Sequence, residues 1–125
     1  MWLAVDLDDT LLSRADEPEP GAIEAMTKLL EEGHRVTIWT ARFARIHKDD
    51  HSKLLAHTEA ELKKHGIPYT DICTGPKPPA DVFIGDNVVP YSGNWPQTLA
   101  QAHMQLETRG SVDNPPLHEY EEGAE

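Results

Sequence analysis

The sequence predicts an α/β domain built on a mainly parallel sheet. Three observations carry that expectation. Short apolar runs of strand length alternate with stretches of helical periodicity. Several runs stop abruptly at a carboxylate or a hydroxyl: Trp2-Leu3-Ala4-Val5 at Asp6-Leu7-Asp8-Asp9, Val36-Thr37-Ile38-Trp39 at Thr40, and Val82-Phe83-Ile84 at Gly85-Asp86. At 125 residues with 38% apolar content, the chain can bury one core.

The elements follow in order. Trp2–Val5 is a buried strand. Pro20-Gly21 opens a helix whose Ile23, Met26, Leu29 and Leu30 share a face, and Gly33 stands where a C-terminal glycine belongs. Arg35–Trp39 is a β-branched strand ending at Thr40. A helix is expected from about Asp50 to His65, with Leu54, Leu55 and Leu62 inward and Gly66 as its stop. Tyr69–Cys73 and Asp81–Ile84 are further strands. Pro96 suits the first turn of a last helix carrying Leu99, Ala102 and Leu106 on one face, with Trp95 as a packing anchor beneath it. No internal repeat is present. A G-x-G-x-x-G dinucleotide loop is excluded after the first strand, because acids occupy that place.

Residues 1–108 are read as one domain and 109–125 as an acidic, flexible tail. Net charge is −11, of which residues 110–125 contribute five acids and no Lys or Arg. The remaining 17 acids and 11 bases still leave the body at −6, which disfavours avid nucleic-acid binding. No apolar stretch is long enough for a membrane span. Met1 leads into a strand with no basic segment before it, so no secretory signal is expected. The single Cys73 cannot form an internal disulfide; it reads as a buried structural thiol in a reducing cytoplasm.

In a parallel sheet, all the polar strand ends lie on one edge, where open α/β sheets bind ligands. That edge would gather Asp6, Asp8, Thr40 and Asp86, with Lys77 in the loop before the last strand. Clustered carboxylates repel unless a cation or proton sits among them. Two or so carboxylates plus phosphate oxygens suit Mg²⁺. A carboxylate can attack phosphorus, a lysine and a hydroxyl can neutralise phosphoryl oxygens, and a second carboxylate can move the protons. His47 and His51 stand four apart but lack a third ligand, so no zinc site is expected. Asp9 reads as fixing the turn after the first strand.

These motifs resemble those of the haloacid dehalogenase superfamily of phosphohydrolases. Asp6-Leu7-Asp8-Asp9-Thr10 matches its first motif, D-x-D-x-T, and Val36–Thr40 the second. Lys77 matches the third, and Val82-Phe83-Ile84-Gly85-Asp86 the fourth. The resemblance runs from about residue 1 to 106 and implies a Rossmann-like three-layer sandwich. It implies Asp6 as nucleophile and Asp8 as general acid/base, with Asp6, Asp8 and Asp86 at a Mg²⁺. Thr40, Ala41, Arg42 and Lys77 would hold the substrate phosphate. The fourth motif departs from the pattern: after Asp86 comes Asn87, and the next acid is Glu107. Only 29 residues separate Thr10 from Thr40 and 36 separate Thr40 from Lys77, leaving no room for a cap domain. A capless site admits a bulky phosphorylated substrate and can be closed by a second copy. Alternatives of other kinds are a polynucleotide 3′-phosphatase or nucleotidase, and a weakly active or inactive module that binds a phosphorylated ligand.

Overall fold

The computed structural model describes residues 1–109; the acidic stretch 110–125, and with it the expected tail, lies outside the described residues. Four strands, β1 (Trp2–Val5), β2 (Arg35–Trp39), β3 (Asp71–Cys73) and β4 (Val82–Ile84), form one sheet in the order β3-β2-β1-β4. Every pairing is parallel, with Val5 opposite Ile38 and Ile84, and Ile38 opposite Ile72. The α/β class expected from the alternation is the fold observed. Because β1 is central, its carboxyl end has a neighbour on each side.

Helices α1 (Ala22–Glu31) and α2 (His51–His65) cover one sheet face. Met26 and Leu62 meet Val5, Val36 and Ile38 there in one buried cluster, joined by Leu7, Leu11, Leu12 and Ile67. The starts and stops fall where sequence chemistry put them. Gly21 precedes α1 at φ 81° and Gly66 follows α2 at φ 69°, both in the left-handed region that a side chain would strain. Asn94 Oδ1 accepts from the Gln97 amide at 3.1 Å and so caps α3 (Trp95–Arg109). Two 3₁₀ turns, Ala41–Arg45 and Lys48–Asp50, fill the gap between β2 and α2, and α2 starts one residue later than expected.

The opposite sheet face is built differently. Moving from β3 to β4 means crossing β2 and β1, about 14 Å at ordinary strand spacing. The segment that crosses contains Pro76, Pro78 and Pro79, which cannot supply the amides of a helix. It runs extended, with Pro78 buried and Lys77 Nζ 4.4 Å from the centroid of the Phe83 ring. Side chains complete this layer. Trp39 packs edge-on to Phe83 with centroids 5.9 Å apart. Trp2 Nε1 donates to Thr37 Oγ1 at 2.7 Å, and the Thr37 hydroxyl in turn donates to Asp71 Oδ1. Arg35 grips Asp71 Oδ2 at 2.7 Å and lies over the Trp2 ring at 4.1 Å. Burial works to raise the Asp71 carboxyl, but the Thr37 hydroxyl and Arg35 outweigh it and hold that carboxyl below its ordinary value. Thr37, 2% exposed, is thereby satisfied on both sides.

Three expectations change. Trp95 is not an anchor: it is 68% exposed, its ring 5.2 Å from that of Tyr91. Leu99 and Leu106 are also exposed, because α3 turns its buried Thr98 toward Ser92 and Asn94 instead of turning the leucines toward the sheet. Cys73 is half-buried, with Sγ 3.4 Å from the Pro76 carbonyl that opens the crossover. No helix among the described residues is long and apolar enough to cross a membrane.

Leu62 has no exposed surface and is the residue by which a mainly polar α2 holds the sheet. Leu62→Ala should lower unfolding free energy by about 3 kcal/mol. Leu106→Ala, on exposed surface, should cost no more than about 0.5 kcal/mol. Urea unfolding of the two variants checks this; equal losses would mean that α3 packs as tightly as α2.

Candidate active site

β1 and β4 end side by side, and the pairing continues one residue past them: Asp6 N donates to Ile84 O at 2.8 Å. This register sets Asp6 against Gly85. A Cβ at Gly85 would stand at ordinary contact distance, 3.4 Å, from the Asp6 Cβ and slightly tight, 3.3 Å, against Val88 Cγ2, so the two strand ends lie in close contact. Next along, Asp86 N donates to Thr10 Oγ1 at 3.2 Å. The turn after β1 is thereby tied to the turn after β4. Asp9 makes the β1 turn at φ 64°, a conformation Asp tolerates, and its carboxylate meets Arg14 at 3.2 Å. That is the structural role expected of it.

The Asp6 and Asp86 side chains are in hydrogen-bonding contact, and the electrostatics register the crowding. Burial, above all, pushes the Asp6 carboxyl up to about 6 from an ordinary 3.8. The Leu7 amide opposes the rise, and the charges of Asp86 and Asp8 add to it. Two carboxylates in contact share a proton or a cation.

Asp8 faces elsewhere. Arg42 holds both its oxygens, Nε to Oδ2 at 2.9 Å and Nη2 to Oδ1 at 2.8 Å. The third guanidinium nitrogen, Nη1, reaches Glu61 Oε1 at 2.6 Å and Thr58 Oγ1 at 3.5 Å on α2. Pairing with Asp8 first, and with Glu61, holds the Arg42 guanidinium above its ordinary value. As placed, Arg42 directs four of its five N–H donors to Asp8, Glu61 and Thr58, which leaves one Nη2 hydrogen for a phosphate. Thr40, 4% exposed, ends β2 and caps the first 3₁₀ turn by accepting from Arg42 N at 3.2 Å. That contact leaves the proton of its own hydroxyl unused. Ala41, the first residue of the turn, is exposed. Lys77 is exposed and held over Phe83.

The structure thus brings Asp6 and Asp86 together, sets Thr40 just past the end of the neighbouring strand β2, and binds Asp8 to Arg42. No group of three or more His, Cys, Asp or Glu side chains among the described residues converges as a metal cage. Two carboxylates with hard oxygen donors nonetheless match the sparse protein ligation of Mg²⁺, which keeps several waters and substrate oxygens. Thr10, Gly85, Thr58 and Glu61 were absent from the sequence-derived site. Thr58 and Glu61 left one trace: on α2 a polar residue, Thr58, takes an inward position between Leu55 and Leu62 at helical spacing.

Residues 3–64 match the family of haloacid dehalogenase-like hydrolases. That span carries Asp6, Asp8 and Thr40, and over it the chain is similar to this family. The similarity supports a hydrolase in general terms, on an α/β parallel-sheet fold. The crystal structure of a structural-genomics target from Vibrio cholerae is 29% identical, covering 87% of this chain and 98% of its own, with a TM-score of 0.45. No curated protein matches the chain.

The Asp6 shift has a definite pH signature. Between pH 3.8 and about 6 the folded chain holds a proton that the unfolded chain has released. Stability from this group therefore falls as pH rises through that window and stays low above it. Asp6→Asn removes the ionisation, so in EDTA its Tm should exceed that of wild type at pH 7.5, the difference shrinking toward zero by pH 4. Differential scanning calorimetry at the two pH values is the check; a pH-independent difference would contradict the shift.

Proposed function

We propose that this protein is a Mg²⁺-dependent phosphatase that cleaves a phosphate monoester through an aspartyl-phosphate on Asp6. The observation that carries the reading is the contact between the Asp6 and Asp86 carboxylates at the ends of neighbouring parallel strands. Uncompensated, that contact is unfavourable, and burial makes it more so. Asp6 and Asp86, with the Asp8 carbonyl, would hold the Mg²⁺. When bound, the ion offsets their repulsion and the negative charge of the phosphoryl group.

In the first step an Asp6 oxygen bonds to phosphorus as the ester P–O bond breaks, and Asp8 gives its proton to the departing oxygen. In the second, water bonds to phosphorus, its proton passes to Asp8, and the Asp6–phosphorus bond breaks to release inorganic phosphate. Asp8 must free one oxygen from Arg42 to do this. Arg42 keeps Glu61 and Thr58 as partners when it does, so the guanidinium is never stranded. The buried Thr40 hydroxyl and Lys77 are the remaining donors for phosphoryl oxygens, Lys77 after leaving the Phe83 ring. A body at −6 argues for a small phosphorylated substrate over a polynucleotide end. A lone cysteine, which can form no internal disulfide, suits the reducing cytoplasm.

The bidentate Asp8–Arg42 pair is also what a module that merely binds phosphorylated ligands would have, since both Asp8 oxygens are engaged. Hydrolysis of an aryl phosphate by wild type and Asp6→Asn, each with Mg²⁺ and with EDTA, separates the two. Wild-type turnover should require Mg²⁺, and Asp6→Asn should lose at least about a thousandfold. Turnover that survives in Asp6→Asn would overturn the mechanism. Mg²⁺ binding by wild type with no turnover of any phosphomonoester would favour the binding module.

A further inference from the structure

The Asp6–Asp86 pair occupies one end of a larger feature that the chemistry above leaves unused. A cleft of about 520 Å³ opens between the loop after β4 and the flank of α3. Asp86, Val88 and Pro90 line one wall; Gln101, Met104 and Gln105 line the other. Gln105 Nε2 donates to the Val88 carbonyl at 3.4 Å and so sets the distance between the walls. Because Asp86 belongs to both the cleft and the carboxylate pair, the two are continuous.

The lining has a definite chemical character. Among the described residues Asp86 is its one charged side chain; the rest are aliphatic, thioether, amide or hydroxyl side chains. Val88 and Met104 leave 44% and 65% of their surface open, an apolar exposure beside a polar site that no side chain of the fold requires. The volume falls within the range of small-molecule pockets. With Asp86 engaged by Mg²⁺, the described walls offer an occupant no charge of either sign, so a second anionic group would lose its hydration with no cation to replace it. A neutral body with an apolar face would cover Val88 and Met104, and its hydroxyls or amides would find Gln101 and Gln105.

We infer that this cleft receives the organic half of the phosphate monoester and selects substrates whose leaving group is uncharged and apolar on at least one face. The inference rests on the phosphatase reading for its kinetic test, but not for its binding test. Second phosphates, as in bisphosphates and nucleotides, are disfavoured by the same walls.

Two measurements on the full chain with Mg²⁺ decide it. The first is the ratio of kcat/KM for 1-naphthyl phosphate over methyl phosphate. Comparing that ratio among variants cancels the different reactivities of the two esters. Met104→Glu should lower the ratio about tenfold, whereas Leu106→Glu, on the same exposed helix but outside the cleft, should leave it unchanged. Equal ratios in the two variants would overturn the inference. The second is methyl NMR of Val88 and Met104 during titration with 1-naphthol. Shifts at those methyls support the cleft even if no ester is hydrolysed, in which case the phosphatase reading alone fails. Methyls that do not move would sink the inference whatever the kinetics show.

Discussion

Two like charges are held together by backbone. The amide of Asp6 bonds to the carbonyl of Ile84, and the amide of Asp86 bonds to the hydroxyl of Thr10. Neither hydrogen bond involves a carboxylate, so the fold can fix the positions of the acids without neutralising them. The cost is written in the Asp6 carboxyl, pushed up to about 6 mainly by burial. Everything beneath the site serves to keep those strand ends in register. β1 lies between β2 and β4, and Leu7, just beyond Asp6, is fully buried beneath the turn.

The neighbouring acid is treated in the opposite way. Asp8 is matched to a guanidinium in a two-point contact, the strongest geometry available to such a pair. Arg42 can afford no motion of its own, since Glu61 and Thr58 on α2 hold its remaining nitrogen. One consequence is a division of labour within the sequence Asp6-Leu7-Asp8. Alternation along the extended chain sends Leu7 into the core and the two carboxylates to the other side, where different neighbours meet them. One is crowded by acids and the other is balanced by a base.

The proline-rich crossover shapes the rest of the molecule. With no helix between β3 and β4, that sheet face is closed by single side chains, and the Trp2–Thr37–Asp71–Arg35 ladder does what a packed helix would otherwise do. The last helix then finds no sheet surface to occupy with its leucines. It lies along the loop after β4 instead, which leaves Leu99, Met104 and Leu106 in the open and creates the cleft beside Asp86.

The sequence by itself determined the parallel α/β order, the strand ends and the identity of the acids on the common edge. Those features are local: period-2 and period-3.6 apolar patterns, glycines at helix stops, and runs that end in charge. It also placed Asp9 in a turn, because a residue needing φ near 64° must be one that tolerates it. What only the tertiary structure decided depends on distances between segments far apart in the chain. The contact between Asp6 and Asp86 needs the β1–β4 register. The capture of Arg42 by Asp8 and Glu61 needs α2 to pack over the end of β2. The exposure of Trp95 and the leucines of α3 could not be read from their periodicity, because an amphipathic pattern says which face is apolar but not whether a surface exists for it to cover. That surface was set by the crossover, some twenty residues upstream.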